Sequence, residues 1–435
     1  MRLLPRILTT TVVFAFAVPA LAQRGAGAPA DTTPDPIKSM VARLDLEKYK
    51  ATIKSLSGFG DRRQGTDRNR AAVNWIEAQL KSYGCTNTER IKYEYLGRQL
   101  KNDSTNKVDS LAGRGGRGGR GGRGAAAGGD ADTTAGAAGR GRGAGGRGGR
   151  GGNPVKGFTA RTGVNTNPAL QPDTALQRIN AQWDTPGDRE EVYCTKIGVT
   201  HPEEMYIVGA HMDGHGFGSA TNDDGSGTAL VMELARIYSS PDVVTDRSIR
   251  FILFNNEETG GGAAAYARQR SSLQGIENPA GSHKYPEPKW LGMIQHDMMM
   301  WDHGMPGPDG KVSPEQRREA DVNIEFGGTS KFAAEASQMA FYFRRANDKY
   351  ATDYPAAVGD RMTATDSQSF QDLCPAISLR ENERAAHTGT GWNPTWHQPI
   401  DVMSTFSDKD FRLGLNAAQT TLSAVAQLAG AKLTK

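Results

Sequence analysis

An α/β fold with a mostly parallel central sheet, flanked by helices on both faces, is predicted by three features of the sequence. Short apolar runs alternate with longer stretches of helical periodicity. The runs are apolar throughout rather than at every second residue, as in strands covered on both faces. At the C-terminal end of several of them stands a histidine or a carboxylate.

The elements follow in order. Thr66 or Asp67 caps a helix through Tyr83, in which Ala72, Trp75, Ile76 and Leu80 recur at helical spacing and Gly84 ends the turn. Strands are expected at Met205 to Ala210, Ile249 to Phe254, Leu291 to Gln295 and Ala376 to Leu379. Helical patterns at Gly227 to Ser239, Ala263 to Arg270, Lys331 to Tyr350 and Asp408 to Leu428 follow or separate them. There is no internal repeat. With 435 residues, 37% of them hydrophobic, the chain can bury one large core or two modest ones.

The opening segment MRLLPRILTTTVVFAFAVPALA sets Arg2 and Arg6 before an apolar stretch and ends on Ala20-Leu21-Ala22. That pattern is a secretory signal with a small-residue cleavage site, too short to span a bilayer. We read residues 1–22 as a signal peptide, 23–36 as a linker and 37–435 as one domain, in a protein exported to the periplasm or the exterior. No later segment has 18 uninterrupted apolar residues, so no membrane partner is expected. The domain is interrupted at 104–155 by a low-complexity Arg/Gly-rich insertion, expected to be disordered because it lacks the apolar residues that would offset the entropy of ordering. Eight arginines and two aspartates lie between Gly113 and Gly152, so the net charge of +4 belongs to this tract and the rest of the chain is net acidic. Gly113 to Gly118 matches a dinucleotide fingerprint in composition only, with no βα unit around it. Arg/Gly repeats suit RNA, but an exported chain meets little of it; a solvated loop, or contact with a surface or polyanion, is expected instead of a nucleic-acid partner. The oligomeric state is not legible.

Cys85, Cys194 and Cys374 do not space like a zinc knuckle or a redox pair. An oxidising compartment permits one internal disulfide at most. Cys85 and Cys194, each near an early strand, either pair or remain separate buried thiols.

The stretch FILFNNEETGG, 251–261, runs from an apolar strand into the adjacent carboxylates Glu257 and Glu258. His211-Met212-Asp213 follows the strand ending at Ala210, and His296-Asp297 follows the one ending at Gln295. Asn222-Asp223-Asp224 precedes a helix, and Trp396-His397-Gln398-Pro399 lies near the C-terminus. Each group alone has a plain structural explanation: a strand-end histidine is often hydrogen-bonded, and Asp223 and Asp224 could simply cap the helix. Their convergence beyond the carboxyl ends of the strands, where such sheets bind ligands, is what needs a cation. Imidazole and carboxylate without thiolate suit zinc or a similar ion. Five ligands with one shared carboxylate would hold two ions roughly 3.5–4 Å apart with a water between them. One glutamate of the pair would bind metal and the other take a proton. The H-E-x-x-H, G-x-S-x-G and Walker A signatures are absent from the sequence.

These motifs, GAHMD (209–213), NDDGSGTA (222–229), NNEETG (255–260), QHDM (295–298) and NPTWHQPID (393–401), resemble the M28 family of zinc peptidases, the aminopeptidase group with two co-catalytic zinc ions. GTDRNRAAVNWIEAQL (65–80) is similar to the helix that opens that family's domain, and the resemblance runs from about Asp45 to the C-terminus, the insertion aside. It implies that Asp223 bridges two Zn2+, that His211 and Asp297 complete one site and that Glu258 and His397 complete the other. Glu257 would be the general base activating a metal-bridging water, Asp213 would orient the imidazole of His211, and Asp224 would help hold the neighbouring geometry. The implied activity is that of an exported di-zinc metallo-exopeptidase, an aminopeptidase hydrolysing N-terminal peptide bonds. Alternatives are a carboxypeptidase or dipeptidase on the same site, a one-zinc glutaminyl cyclase-like enzyme, and a non-catalytic binding protein. Gly260 to Gly262, TDSQSF (365–370) and the insertion depart from the family pattern. His215 is expected either in solvent or against substrate, and His296 on the opposite side of its strand from Asp297. Asp302 and His303 are decoys, Met298 to Trp301 core or pocket wall, and Trp396 packing.

Overall fold

In a computed structural model, which describes residues 35–85, 87–96, 164–302, 322–362, 364–381 and 393–434, the apolar runs become strands of one eight-stranded sheet. Residues 1–34, which include the segment expected to be a signal peptide, the Arg/Gly insertion and His303 lie outside the described residues. The helices are α1 (Pro36–Val41), α2 (Leu46–Ser57), α3 (Asp67–Ser82), α4 (Thr174–Ile179), α5 (Gly225–Tyr238), α6 (Gly262–Arg270), α7 (Ala333–Tyr350) and α8 (Asp408–Leu428). The strands are β1 (Glu89–Tyr95), β2 (Gly187–Lys196), β3 (His201–His211), β4 (Val243–Val244), β5 (Arg247–Phe254), β6 (Lys289–His296), β7 (Val322–Phe326), β8 (Ala356–Gly359), β9 (Ala376–Glu381) and β10 (Lys432–Leu433). β4 and β10 pair separately. Each expected strand and helix is present, extended or trimmed by a few residues at its ends.

The sheet order is β1-β2-β5-β3-β6-β9-β7-β8. Its centre, β5-β3-β6-β9, is parallel, as is the β7–β8 pair, whereas β1/β2, β2/β5 and β7/β9 run antiparallel. The sheet is therefore mixed, with the parallel block where the site forms. Register brings the strand ends level: His211 lies opposite Phe254, and Ala210 opposite His296.

Period-2 alternation divides the apolar residues between two cores. Val208, Ala210, Phe251 and Leu253 point into a large core covered by α2, α3, α5, α7 and α8. Ile207, Ile252, Phe254, Trp290 and Met293 point into a smaller one under α6 and Phe370. The capping signals act as the sequence predicts: Thr66 accepts from the Asn69 amide to open α3, and Asp224 accepts from the Gly227 amide to open α5. Among the described residues no helix is long and apolar enough to cross a membrane.

Cys85 and Cys194 form a disulfide, with Cα atoms 6.0 Å apart, tying the end of α3 to β2, and Cys374 is free and buried. The bond closes a sequence separation of 109 residues. Replacing both cysteines by serine is expected to lower stability by about 2–4 kcal/mol, read from non-reducing urea denaturation. An unchanged midpoint would mean that the crosslink constrains nothing.

Candidate metal centre

Three strand ends, one helix start and one loop segment supply the side chains. His211 ends β3 and Asp223 precedes α5; Glu257 and Glu258 follow β5, Asp297 follows β6, and His397 comes from the segment before α8. His211 Nε2 stands 3.4 Å from Asp223 Oδ1 and 3.6 Å from Asp297 Oδ1. His397 Nε2 stands 3.0 Å from Asp223 Oδ2 and 2.7 Å from Glu258 Oε2. Asp223 thus presents one oxygen to each of two groups, His211/Asp223/Asp297 and Asp223/Glu258/His397, within each of which the potential ligand atoms lie within 4.8 Å of one another. Asp297 Oδ1 and Glu258 Oε1 are buried and accept no hydrogen bond. Such orphaned oxygens beside imidazole nitrogens fit a pair of divalent ions and have no role in an apolar core.

Electrostatics tell the same story. Burial pushes Glu258 up and outweighs what His397 gives back, with the Asp223 charge adding to the rise, leaving it at about 7. His397 is penalised by burial yet raised to about 10 by Glu258 and Asp223. His211, also penalised by burial, is held well above its ordinary value by Asp223 and Asp297. Asp223, despite burial, is held well below the carboxylate range by the two imidazoles. Protons on the imidazoles occupy the role that cations fill in such a cluster.

The supporting groups are of two kinds. His211 Nδ1 meets the main-chain oxygen of Asp213 at 3.0 Å, while the Asp213 carboxylate stands 3.8 Å from that nitrogen and accepts the Glu257 amide at 3.1 Å. Asp213 therefore orients the imidazole through its backbone and fixes the Glu257 turn through its side chain. Asp224 caps α5 and also accepts from the amides of His211 (3.3 Å) and Met298 (3.2 Å), so the capping and positioning readings both hold. His296 turns away, as alternation predicts, to Gly209 O and Thr421 Oγ1. Met298 to Trp301 are buried, Asp302 accepts from the Tyr354 hydroxyl, and Trp396 stacks on His397 at 3.8 Å. His215 is not in solvent: it is 8% exposed, with Nε2 3.3 Å from Glu258 O, because the Gly214–Gly218 loop folds under residues 397–401. A Cβ on Gly216 would stand 2.2 Å from the His397 carbonyl, which explains the glycine there. At Gly262 a Cβ would stand 2.0 Å from Asn255 O, which accounts for the glycine-rich departure after the glutamate pair.

Sequence reasoning missed three residues. Arg380 in β9 donates to Asp297 Oδ2 at 2.7 Å, leaving Oδ1 turned toward His211, and together with His211 holds that carboxyl low against burial. Asp401 accepts from the amides of Asn222 (2.8 Å) and Asp223 (3.1 Å), and burial raises it to about 7. Asp366, in the TDSQSF segment, accepts from Gln295 Nε2 at 2.9 Å and is raised by burial to about 8. A polar residue ending an apolar strand was the available signal for Arg380; Asp401 closes the NPTWHQPID stretch and Asp366 lies in TDSQSF, but neither was given a role there.

A sheet that gathers two carboxylate-sharing ligand groups at its parallel strand ends defines the class of α/β metalloenzymes. Within that class the chain belongs to peptidase family M28, whose model matches residues 193–420. Aminopeptidase YwaD of Bacillus subtilis (strain 168) is 44% identical over 62 residues, 14% of this chain, and the chain spans only 13% of that relative's length. A zinc aminopeptidase structure from Bacillus subtilis superposes with a TM-score of 0.54 at 14% identity, covering 88% of this chain and 95% of that one. A glutaminyl cyclase structure from Porphyromonas gingivalis superposes with a TM-score of 0.50 at 13% identity, covering 88% of this chain and 99% of that one. At those identities the likeness is one of fold.

Proposed function

We propose that the chain is an exported di-zinc exopeptidase, an aminopeptidase that removes N-terminal residues from peptides. The observation that carries the reading is the division of Asp223, Oδ1 toward His211 and Oδ2 toward His397, which suits one carboxylate shared by two ions. His211, Asp223 and Asp297 would hold one zinc, and Asp223, Glu258 and His397 the other. When bound, the ions supply an acidified water and a Lewis acid for the scissile carbonyl. Glu257, its amide anchored on Asp213, takes the proton from the attacking water and passes it to the leaving nitrogen as the C–N bond breaks. Burial and the carboxylates of Asp366, Glu258 and Asp297 raise its proton affinity, as a base working near neutral pH requires. The leader at residues 1–22 supports export.

The test is metal content by mass spectrometry on the purified mature protein, beside hydrolysis of free and N-acetylated peptides. About two zinc ions per chain, with cleavage confined to free N-termini, is the expected result. One ion per chain, or indifference to N-acetylation, would move the reading to a cyclase or a carboxypeptidase.

A further inference from the structure

His397 is the ligand of the centre least supported by regular structure. His211, Asp223, Glu258 and Asp297 each lie in a strand or within a few residues of a strand end or helix start, whereas His397 comes from turns between β9 and α8. Its backbone has a φ of +54°, in the left-handed region that favours glycine. Such a conformation persists where the surroundings hold it. The ring is not held in the usual way either. A metal-binding histidine is ordinarily oriented through its other nitrogen, but His397 Nδ1 is buried without a hydrogen bond among the described residues, while His211 Nδ1 meets Asp213 O at 3.0 Å. Trp396 stacks on the His397 ring and sets its plane. The direction of Nε2 within that plane is left to the main chain.

That main chain is gripped by two buried side chains from the segment that follows the Arg/Gly insertion in sequence. Asn165 donates its amide to His397 O at 3.0 Å and its side-chain Nδ2 to Gly216 O at 3.2 Å. Gln171 Nε2 donates at 2.8 Å to Phe217 O and at 2.8 Å to Pro399 O, so its two N–H groups are divided between the Gly214–Gly218 loop and the segment 397–401. The Asp173 amide donates to Gln171 Oε1 at 3.1 Å, which fixes the orientation of the carboxamide. The two loops also touch directly: Ser219 donates its amide to Asp401 O at 2.8 Å, and Gly216 lies against the His397 carbonyl. The other ligand group is set by different residues, Asp213 O on His211 and Arg380 on Asp297 Oδ2.

We propose that Gln171 and Asn165 are positioning residues for His397. By joining the Gly214–Gly218 loop to the segment 397–401 through main-chain carbonyls, they aim Nε2 at Asp223 and Glu258 and so set the zinc affinity of the Asp223/Glu258/His397 group. The affinity of the His211/Asp223/Asp297 group is left to the sheet and Arg380. This rests on the two-zinc reading above. It assigns a task to a stretch outside every motif of the centre: the chain leaving the insertion braces the ligand that lacks a partner of its own.

The test is zinc titration of the EDTA-treated full chain against a competing chelator, which reads a dissociation constant for each ion. Gln171→Met keeps the bulk of the side chain and removes both donors. It is expected to weaken one constant by about 10–100-fold, the range for residues that orient a metal-bound histidine, and to leave the other unchanged. The surviving constant should match the one that remains in Glu258→Ala, which removes a ligand of the same group. A merely structural glutamine would lower the urea midpoint of the metal-free chain and move both zinc constants together or neither. If Gln171→Met does not fold, Asn165→Ala, which removes the bond to Gly216 O, takes its place, with the same selective loss in smaller measure. Equal weakening of both constants, no weakening, or a loss confined to the His211/Asp297 group overturns the inference while leaving the two-zinc reading intact. A parent chain that binds one zinc or none removes that reading, and this inference with it.

Discussion

Glu257→Gln is expected to keep the metal content of the parent chain and to lose about 10³-fold or more in kcat, within the range by which a positioned general base accelerates proton transfer. The two adjacent glutamates point to different jobs. Glu258 Oε2 lies 2.7 Å from His397 Nε2 and belongs to a ligand group. Glu257 belongs to neither group, and its amide is pinned to Asp213 Oδ1. An amide side chain has the same size but cannot take up a proton near neutral pH, so the turn should stay and the proton relay fail. Glu258→Ala should do the reverse, releasing metal and losing activity as a consequence. Mass-spectrometric metal counts on both dialysed variants, beside steady-state hydrolysis, separate the two. Equal metal loss in both would show that the division of roles is wrong.

The site was more legible in the sequence than the sheet around it, for a physical reason. Strand-end motifs sit next to the apolar runs that position them, so His211, Glu257, Glu258 and Asp297 could be read in their local context. Long-range partners carry no such mark: Arg380 meets Asp297 across 83 residues, and Asp401 holds the Asp223 amide across 178. The unassigned strands hide their burial under polar residues. β7 reads VNIEF, yet all five residues are buried, with Asn323 donating to Glu325. β2 buries Arg189 and Glu191 beside its apolar residues, which breaks the hydrophobic run a parallel-sheet reading looks for. His215 stood in a glycine-rich loop of the kind that usually lies in solvent; only the passage of residues 397–401 over that loop buries it.

Zinc should stabilise the chain far more at pH 8 than at pH 5, because without metal the centre holds protons that the unfolded chain releases. In the metal-free fold burial raises Glu258 to about 7, Asp401 to about 7 and Asp366 to about 8. His397 is raised to about 10 by Glu258 and Asp223 against the cost of burial. Unfolded carboxylates titrate near ~4 and histidine near ~6.5, so from about pH 4 to 8 the folded state binds more protons than the unfolded one. Stability of the metal-free chain must therefore fall as pH rises through that window. Asp223 and Asp297, whose folded values are depressed, act with the opposite sign, but their contribution is lost only as pH drops below about 4; His296, lowered by burial to about 4, and His215, lowered by burial, also oppose the trend up to about pH 6.5, and are outnumbered by the raised carboxyls. The metal-free chain should accordingly lose roughly 2 kcal/mol or more between pH 5 and pH 8. Zinc needs these ligands deprotonated, so its binding grows with pH over the same range and adds about 4 kcal/mol per site at a thousandfold excess over Kd. Chemical denaturation of EDTA-treated and zinc-loaded protein at pH 5, 6.5 and 8 measures both trends. A metal-free chain more stable at pH 8 than at pH 5 would mean that these carboxylates do not carry protons in the fold, and with that the case for a cation-demanding centre would lose its electrostatic basis.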